Sequence, residues 1–281
     1  MSEARAATVL IVADRDYLPR LRTLAASIAL QERDLRFHFF LINCDPIEVG
    51  MLRGEFSDAE IECETRGFSS EDEKRAICAN CRAQVLLRIL EGGAERVLYL
   101  DADSIVRRPL QPLLAQLDRY DLLLHHRRHR PGEHEQFAAG VIALRNTEGT
   151  RRFVADWAGR VLPREAEWYA DQIGMLHAVE ALESEVQIGD LPAPWIDWTF
   201  RASSPVWAGK GDRKHHVRLY QLEEERVRRR FAGQSLGALP IQLAIAHCGE
   251  SVRRMLTAAR RALGRLGRAG RARQRRAARS S

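Results

Sequence analysis

The chain has 281 residues, 45% of them hydrophobic, enough to bury a sizeable core in one large domain or one domain with appendages. No apolar run approaches a transmembrane span, and the apolar start from Ala6 to Ala13 lacks the basic flank and cleavage site of a signal peptide, so a cytoplasmic location is expected. The formal net charge of +6 averages unlike parts: from Val252 onward there are eleven arginines and no acid, which leaves residues 1–251 at −5.

Thr8 to Ala13 is a compact apolar run and reads as the first strand. Leu18, Leu21, Leu24, Ala25 and Ile28 follow at helical spacing. Leu35 to Ile42 reads as a second strand, and Asn43-Cys44-Asp45-Pro46 starts a new helix. Glu60 to Cys63 is a short third strand. Ser69 and Ser70, followed by three acids, open a long helix that runs to about Leu90 and ends at Gly92-Gly93. Val97 to Leu100 is the fourth strand, and Pro109 opens a further helical pattern. Tyr120 to His125 and Ala138 to Leu144 are the fifth and sixth strands. Asn146 and Thr147 cap a helix through Leu162, and Glu165 to Leu182 is another. After Val186 the pattern breaks into short pieces rich in Pro and Trp, the mark of a loop-rich lobe closing over a site. This alternation predicts an α/β fold with a mostly parallel sheet and helices on both faces.

The five cysteines (Cys44, Cys63, Cys78, Cys81 and Cys248) are odd in number and irregular in spacing, which argues for reduced thiols. At the other end, Val252, Met255, Leu256, Ala259, Leu263 and Leu266 fall on one helical face among arginines. Residues 250–281 therefore read as a basic amphipathic helix and tail. Their partner is an anionic membrane surface, with the protein peripheral on the cytoplasmic face of the membrane. A solvated tail and RNA binding are the other readings. No aromatic residue interleaves the arginines, which argues against a specific nucleic-acid partner.

The strand at Val97–Leu100 ends in Asp101-Ala102-Asp103. Open α/β sheets bind ligands beyond the carboxyl ends of their strands. Two carboxylates with one small spacer make a hard oxygen site suited to Mg²⁺ or Mn²⁺. They suit equally well the capping of the helix that follows. After the first strand stands Ala13-Asp14-Arg15-Asp16-Tyr17, without a glycine-rich fingerprint. A strand-end acid and a nearby tyrosine can bind a base and ribose; alternatively Asp16 caps the next helix. Arg82 precedes the acidic strand and suits either a phosphate or a surface acid. The chain has three lysines, Lys74, Lys210 and Lys214, and two of them lie with Gly209 and Gly211 in one loop. Glycines let backbone N–H groups approach phosphates, and lysine adds a mobile point charge. Trp195, Trp198 and Trp207 read as core for at least two of the three, and Asp197 as an acceptor contact. His125, His126, His129 and His134 have no compact ligand spacing and read as a solvated loop.

Taken together, Ala13 to Tyr17, Arg36-Phe37-His38, Arg82 and Val97-Leu-Tyr-Leu-Asp-Ala-Asp103 resemble GT-A-fold glycosyltransferases, and among them the retaining glycogenin and lipopolysaccharide galactosyltransferase group. The resemblance runs from about Thr8 to Lys214. It implies a GT-A (Rossmann-like) mixed sheet in residues 1–249, with a nucleotide-binding half (1–118), a sugar and acceptor half (119–249) and the basic tail beyond. It further implies a metal-dependent glycosyltransferase that moves a sugar from a UDP-linked donor to a saccharide or lipid-linked acceptor with retention. By the resemblance, Asp101 and Asp103 hold Mn²⁺ or Mg²⁺. The donor is contacted by Ala13, Asp14, Tyr17, Arg82, Asp101, Ala102, Asp103, Gly140, Gly211 and Lys214. Catalysis falls to Asp171 and Gln172 with Asp101, Gln172 lying beneath the anomeric carbon.

Two positions depart from the family. Ala138, in Phe137-Ala-Ala-Gly140, stands where many members carry Asn, and Ala208 stands where the third metal ligand, His, precedes Gly211 and Lys214. By the resemblance, either Asp101 and Asp103 hold the ion with phosphates and water, or His215, His216 or His247 substitutes. A nucleotidyltransferase, or a sugar-nucleotide-binding protein without turnover, is the alternative function.

Overall fold

The computed structural model describes residues 7–255. The elements in chain order are β1 (Thr8–Asp14), α1 (Leu18–Ala29), β2 (Arg36–Ile42), α2 (Pro46–Glu55), β3 (Glu60–Glu64), α3 (Glu71–Asn80), α4 (Arg82–Glu91), β4 (Arg96–Leu100) and β5 (Ser104–Val106). They continue with α5 (Gln111–Leu114), β6 (Leu122–His126), α6 (Glu133–Gln136), β7 (Phe137–Arg145), α7 (Glu148–Val161), α8 (Ala170–Leu182), β8 (Ile188–Asp190), β9 (Val206–Ala208), α9 (Arg213–His216) and α10 (Arg218–Phe231). Residues 239–255 are also helical. The chain groups into two compact units, one up to Lys214 and one from His215 onward.

The first unit is built on a seven-stranded sheet of order β3-β2-β1-β4-β7-β6-β8. The strands β3, β2, β1 and β4 are parallel, and β7 runs antiparallel to both β4 and β6. The α/β reading with a mixed, mostly parallel sheet thus holds. β1 and β4 are buried along nearly their whole length. This is why they read as unbroken apolar runs rather than alternations: parallel strands are covered on both faces by their crossover helices. One face carries a core in which Leu10, Phe40, Val97, Tyr99 and Ile142 from the sheet meet Leu86, Phe153 and Trp157 from α4 and α7. Each such side chain contributes about 1.5–3 kcal/mol by leaving water. β5 and β9 form a separate antiparallel ribbon, pairing Ser104 with Ala208.

Helix starts follow the capping chemistry. Asp45 and Glu48 make a reciprocal capping box on α2. The Ser70 hydroxyl accepts from Glu73 N at 3.1 Å, and Thr147 accepts from Thr150 N at 3.2 Å. Asn146 takes a different part: its amide donates to the carbonyls of Leu90 and Ala94 and ties the end of α4 to the start of α7.

The structure corrects the sequence reading in three places. The long helix from Ser69 is two abutting helices, α3 and α4, interrupted only at Cys81. The helix expected from Glu165 starts at Ala170, because Tyr169 adopts a left-handed φ of 68° and turns the chain just before it. The segment after Val186 is not all loop: α10 is a 14-residue helix with Leu219, Leu222 and Val227 buried. The expected amphipathic helix is helical at 252–255, where Val252 and Met255 are exposed; Leu256, Ala259, Leu263 and Leu266 lie outside the described residues. No helix among the described residues is long and apolar enough to cross a membrane.

Candidate active site

Because β1 and β4 are parallel neighbours, their carboxyl ends open on the same edge of the sheet. β1 delivers Asp14 there and β4 delivers Asp101. The antiparallel β7 returns alongside, and Asp101 N donates to Gly140 O at 2.9 Å. A Cβ on Gly140 would lie 2.6 Å from Asp101 Oδ2, so only glycine lets β7 pass this close to the carboxylate. Ala13 and Ala102 are buried small residues beside the two acids. The bland reading of the acidic pair fails on geometry: neither Asp101 nor Asp103 caps a helix, since a strand, β5, follows them.

Asp101 is held from one side. Its Oδ1 accepts from Arg82 Nη1 at 3.1 Å and from the Tyr99 hydroxyl at 2.7 Å. Arg82 is buried, donates also to Ala139 O at 2.7 Å, and stacks over the Tyr99 ring at 4.8 Å. Burial works against its charge, but Tyr99, Asp101 and Asp171 outweigh that and push the guanidinium further up. Arg82 therefore spans two aspartates, its Nε lying 3.6 Å from Asp171 Oδ2.

Asp171 comes from the start of α8 and is 2% exposed. Its Oδ2 is buried and makes no hydrogen bond. Burial raises the carboxyl, opposed by Arg82. The approach to α8 is pinned by Asn80, whose amide donates to the carbonyls of Glu165 and Glu167 and whose oxygen accepts from Asp171 N at 3.0 Å. Trp157 Nε1 donates to Asp171 O at 2.7 Å. Gln172, next along, accepts from Arg127 Nη2 at 3.2 Å, and the same nitrogen donates to Phe137 O.

At the end of β1, Asp14 itself caps the following 3₁₀ turn: its Oδ1 accepts from Tyr17 N at 2.9 Å. This cap was expected of Asp16. Lys74 lies 3.2 Å from Asp14 Oδ2 and also bonds Asp16. These groups border a cavity of about 420 Å³ lined by Asp14, Arg15, Asp16, Asn43, Phe68, Ser69, Ser70, Glu71 and Lys74.

The loop after β9 closes the arrangement. Gly211, at φ +62°, permits the turn that carries Lys214 inward. The Lys214 ammonium bonds the Tyr17 hydroxyl at 2.8 Å and Asp103 Oδ2 at 2.7 Å. Burial would lower Lys214, but Asp103 and Tyr17 outweigh it and raise it. Lys210 stands over Trp198 at 5.1 Å, and burial, aided by Arg127, lowers its ammonium. Ala208, opposite Ser104 in the ribbon, brings no ligand atom. Among the described residues no group of three or more His, Cys, Asp or Glu side chains is placed to hold a metal. His215, His216 and His247 lie in the second unit. The two strand-end carboxylates still suit a hard divalent ion that takes its remaining ligands from phosphates and water: the Asp101 side chain is 38% exposed, and its Oδ2, beside Gly140, is not the oxygen that Arg82 and Tyr99 hold.

Other candidates resolve into structure. Asp197 accepts four hydrogen bonds from its own turn and has no free lone-pair direction for an acceptor. Trp195 and Trp207 are buried, as expected of core. His126 stacks on Phe137, and His134 on Tyr169. Burial pushes the thiols of Cys78 and Cys81 up to about 12, so neither is a thiolate at neutral pH. Sequence reasoning missed Lys74, Asn80, Tyr99 and Arg127. The scarcity of lysine was the one available pointer to Lys74.

Solved structures with a similar backbone include glycosyltransferases. Galactosyltransferase LgtC, solved in complex with donor and acceptor sugar analogs, matches with a TM-score of 0.59 and 17% identity, over 81% of this chain and 96% of that one. Glycosyltransferase GlyE of Streptococcus pneumoniae matches with a TM-score of 0.53 and 16% identity, over 80% of this chain and 60% of its own. The bifunctional glycosyltransferase WbbM gives 0.54 and 13%, over 86% and 52%. No sequence-family profile and no curated protein matches the chain. At such identities the likeness is one of backbone architecture, and the architecture of this chain is the GT-A fold of glycosyltransferases.

Proposed function

We propose that the chain is a metal-dependent glycosyltransferase that takes a sugar from a UDP-linked donor and transfers it, with retention, to a saccharide or lipid-linked acceptor. One observation carries this reading: a single buried lysine, Lys214, ties Tyr17 at the end of the first strand to Asp103 at the end of the fourth. A nucleoside diphosphate has two recognition ends, a base with ribose and a charged diphosphate. The cavity beside Asp14 suits the first. Asp101, Asp103 and Lys214 suit the second.

Asp101 and Asp103 would hold Mn²⁺ or Mg²⁺, which when bound supplies Lewis acidity to the departing diphosphate. Arg82 and Tyr99 fix the Asp101 carboxylate so that no reorientation is needed as charge develops. Asp171 has a buried oxygen with no hydrogen bond, available to a sugar hydroxyl. Gln172 is a neutral amide and a poor covalent nucleophile. The retention proposed here would then need acceptor attack on the face the diphosphate leaves, without a covalent intermediate. Arg127 holds the Gln172 amide in place. Gly211, Gly140, Ala13 and Ala102 would contact the donor, small residues that let a phosphate or sugar approach the backbone closely.

The test is a panel of UDP- and GDP-sugars with Mn²⁺, followed for hydrolysis and transfer. Consumption of a UDP-sugar that is lost in Asp103→Ala supports the reading; a panel left intact and unbound by the wild type overturns it. Binding without consumption favours a donor-binding protein instead, for which Ala138 and Ala208 are the supporting residues. For the basic tail we propose contact with an anionic membrane. Deleting residues from Val252 onward is expected to release the protein from anionic vesicles while sparing UDP binding, and equal vesicle binding by the truncated chain ends that idea.

A further inference from the structure

Both acidic side chains of the strand end already have cations of the protein's own. Asp101 accepts from Arg82 and Tyr99. Asp103 is paired with Lys214 at 2.7 Å, and the Lys214 side chain is only 7% exposed. The neighbouring protein position is Ala208, opposite Ser104 in the β5–β9 ribbon, and Gly209 N donates to Asp103 O at 2.8 Å. Ala208 supplies no side-chain ligand beside the pair, at the position where the resemblance implies a third one.

We propose that Lys214 is a displaceable counter-ion. It blocks Asp103 against a free divalent cation and moves to the diphosphate when a nucleotide arrives, so that cation and diphosphate enter the site together. The inference rests on the donor-site reading above and adds a binding order to it.

The physical grounds are three. A divalent ion sits about 2.0–2.2 Å from a carboxylate oxygen, which places it within about 4 Å of an ammonium bonded to that oxygen; at that separation the repulsion far exceeds thermal energy, even at an effective dielectric of about 20. The two cations cannot share Asp103 Oδ2. Second, a diphosphate offers Lys214 a partner of higher charge, and leaving Asp103 for it frees the oxygen at no loss of pairing. Third, the side chain can move: Lys214 sits at the start of the short helix α9, on a flexible four-carbon stem, just after the loop that holds Gly209 and Gly211. A Cβ on Gly211 would meet nothing within 4 Å, so the loop has open space around its turn. Where a fully ligated site would bind its ion first and the nucleotide second, this one makes each depend on the other.

The experiment titrates Mn²⁺ into the full-length chain, reading free aquo-Mn²⁺ by electron paramagnetic resonance, with and without saturating UDP. The wild type is expected to bind Mn²⁺ weakly alone and about 5- to 150-fold more tightly with UDP, the usual span of coupling between two sites. Lys214→Met is expected to shift the two measurements in opposite directions: Mn²⁺ alone binds about tenfold more tightly, and UDP with Mn²⁺ binds about tenfold more weakly, each an order-of-magnitude change for one close charge. Lys214→Arg keeps the block on free Mn²⁺. A folded Lys214→Met whose affinity for free Mn²⁺ is unchanged or lower overturns the proposal. If that variant does not fold, the wild type decides, because Mn²⁺ binding equally well with and without UDP overturns it too. A wild type that binds no UDP at any Mn²⁺ concentration removes the donor-site reading itself, an outcome distinct from the loss of coupling alone.

Discussion

Asp171 and Asp197 are both nearly sealed from water, at 2% and 7% exposure, and they stand in opposite chemical states. Asp197 accepts from the backbone of Thr199 and Arg201 and from the hydroxyls of Thr199 and Ser204, at 2.5 to 2.7 Å. Burial alone would raise its carboxyl, but those hydrogen bonds outweigh burial and hold it below the usual range. Asp171 is raised by burial, and one of its oxygens has no hydrogen bond at all. The first carboxylate staples a turn. The second has one oxygen without a hydrogen bond, facing only the Arg82 guanidinium at 3.6 Å, next to Asp101. Buried polar groups are normally satisfied, so the exception is the informative one: a satisfied acid points to architecture and an unsatisfied one to a ligand.

The sharpest way to break this contrast is to neutralise each acid. Asp171→Asn is expected to cut transfer about 100- to 1,000-fold, the scale of losing one positioned polar group at a reacting centre. Its thermal midpoint should fall less than that of Asp197→Asn, because Asp171 Oδ2 has no hydrogen bond to lose and Arg82 keeps Asp101 as a partner. Asp197→Asn should do the reverse: stability falls by about 1–3 kcal/mol as acceptors are lost, while the rate per folded molecule stays within about twofold, since the turn lies outside the reacting groups. Paired kinetics and thermal melts read both variants, and a similar fall in midpoint for the two erases the distinction.

Gly140→Ala probes the same edge without touching a charge. Its methyl would press on Asp101 Oδ2, and a drop of about tenfold in turnover is expected from a displaced carboxylate. Wild-type turnover in this variant would mean that the close approach of β7 has no part in the site. A smaller effect is expected from Tyr99→Phe. It removes one 2.7 Å bond to Asp101, worth about 1 kcal/mol and so about fivefold in rate. Steady-state kinetics with the UDP-sugar found in the panel is the readout.

The mildest test is pH. The Asp197 carboxyl is depressed in the folded state, so its contribution is fully present above the unfolded value of about 3.9 and is lost as pH falls through the lower folded value. The gap in thermal midpoint between wild type and Asp197→Asn should therefore be constant near neutrality and close on acidification below about pH 4. A gap that stays open in acid would show that the turn is held by something other than the ionised carboxylate.

Part of the candidate site could be proposed one residue at a time. Asp14, Asp101 and Asp103 stand at or just beyond strand ends and Lys214 just after a glycine loop, places that local pattern reveals, whereas Gly140, in the middle of β7, and Asp171 were proposed only through the family resemblance. The supports of these residues could not be proposed in either way. Asn80 bonds residues 85 to 91 positions away, Arg127 meets Gln172 across 45, and Lys214 meets Tyr17 across 197. A lone Asn or Arg in a helix or loop has no periodicity to betray such a partner. Asp197 shows the same limit from the other side: flanked by tryptophans it read as a contact for an acceptor, and only its four bonds show it to be a staple.

What the residues determined by themselves is the alternation of strands and helices, since apolar period and capping are local properties. They determined as well that acids would stand at two strand ends. The tertiary structure alone decided that those ends share one edge, because only strand order makes β1 and β4 neighbours. It also decided which buried acid would be satisfied and which left bare. Hydrogen bonding between distant segments is a matter of position in space, and no local pattern encodes it.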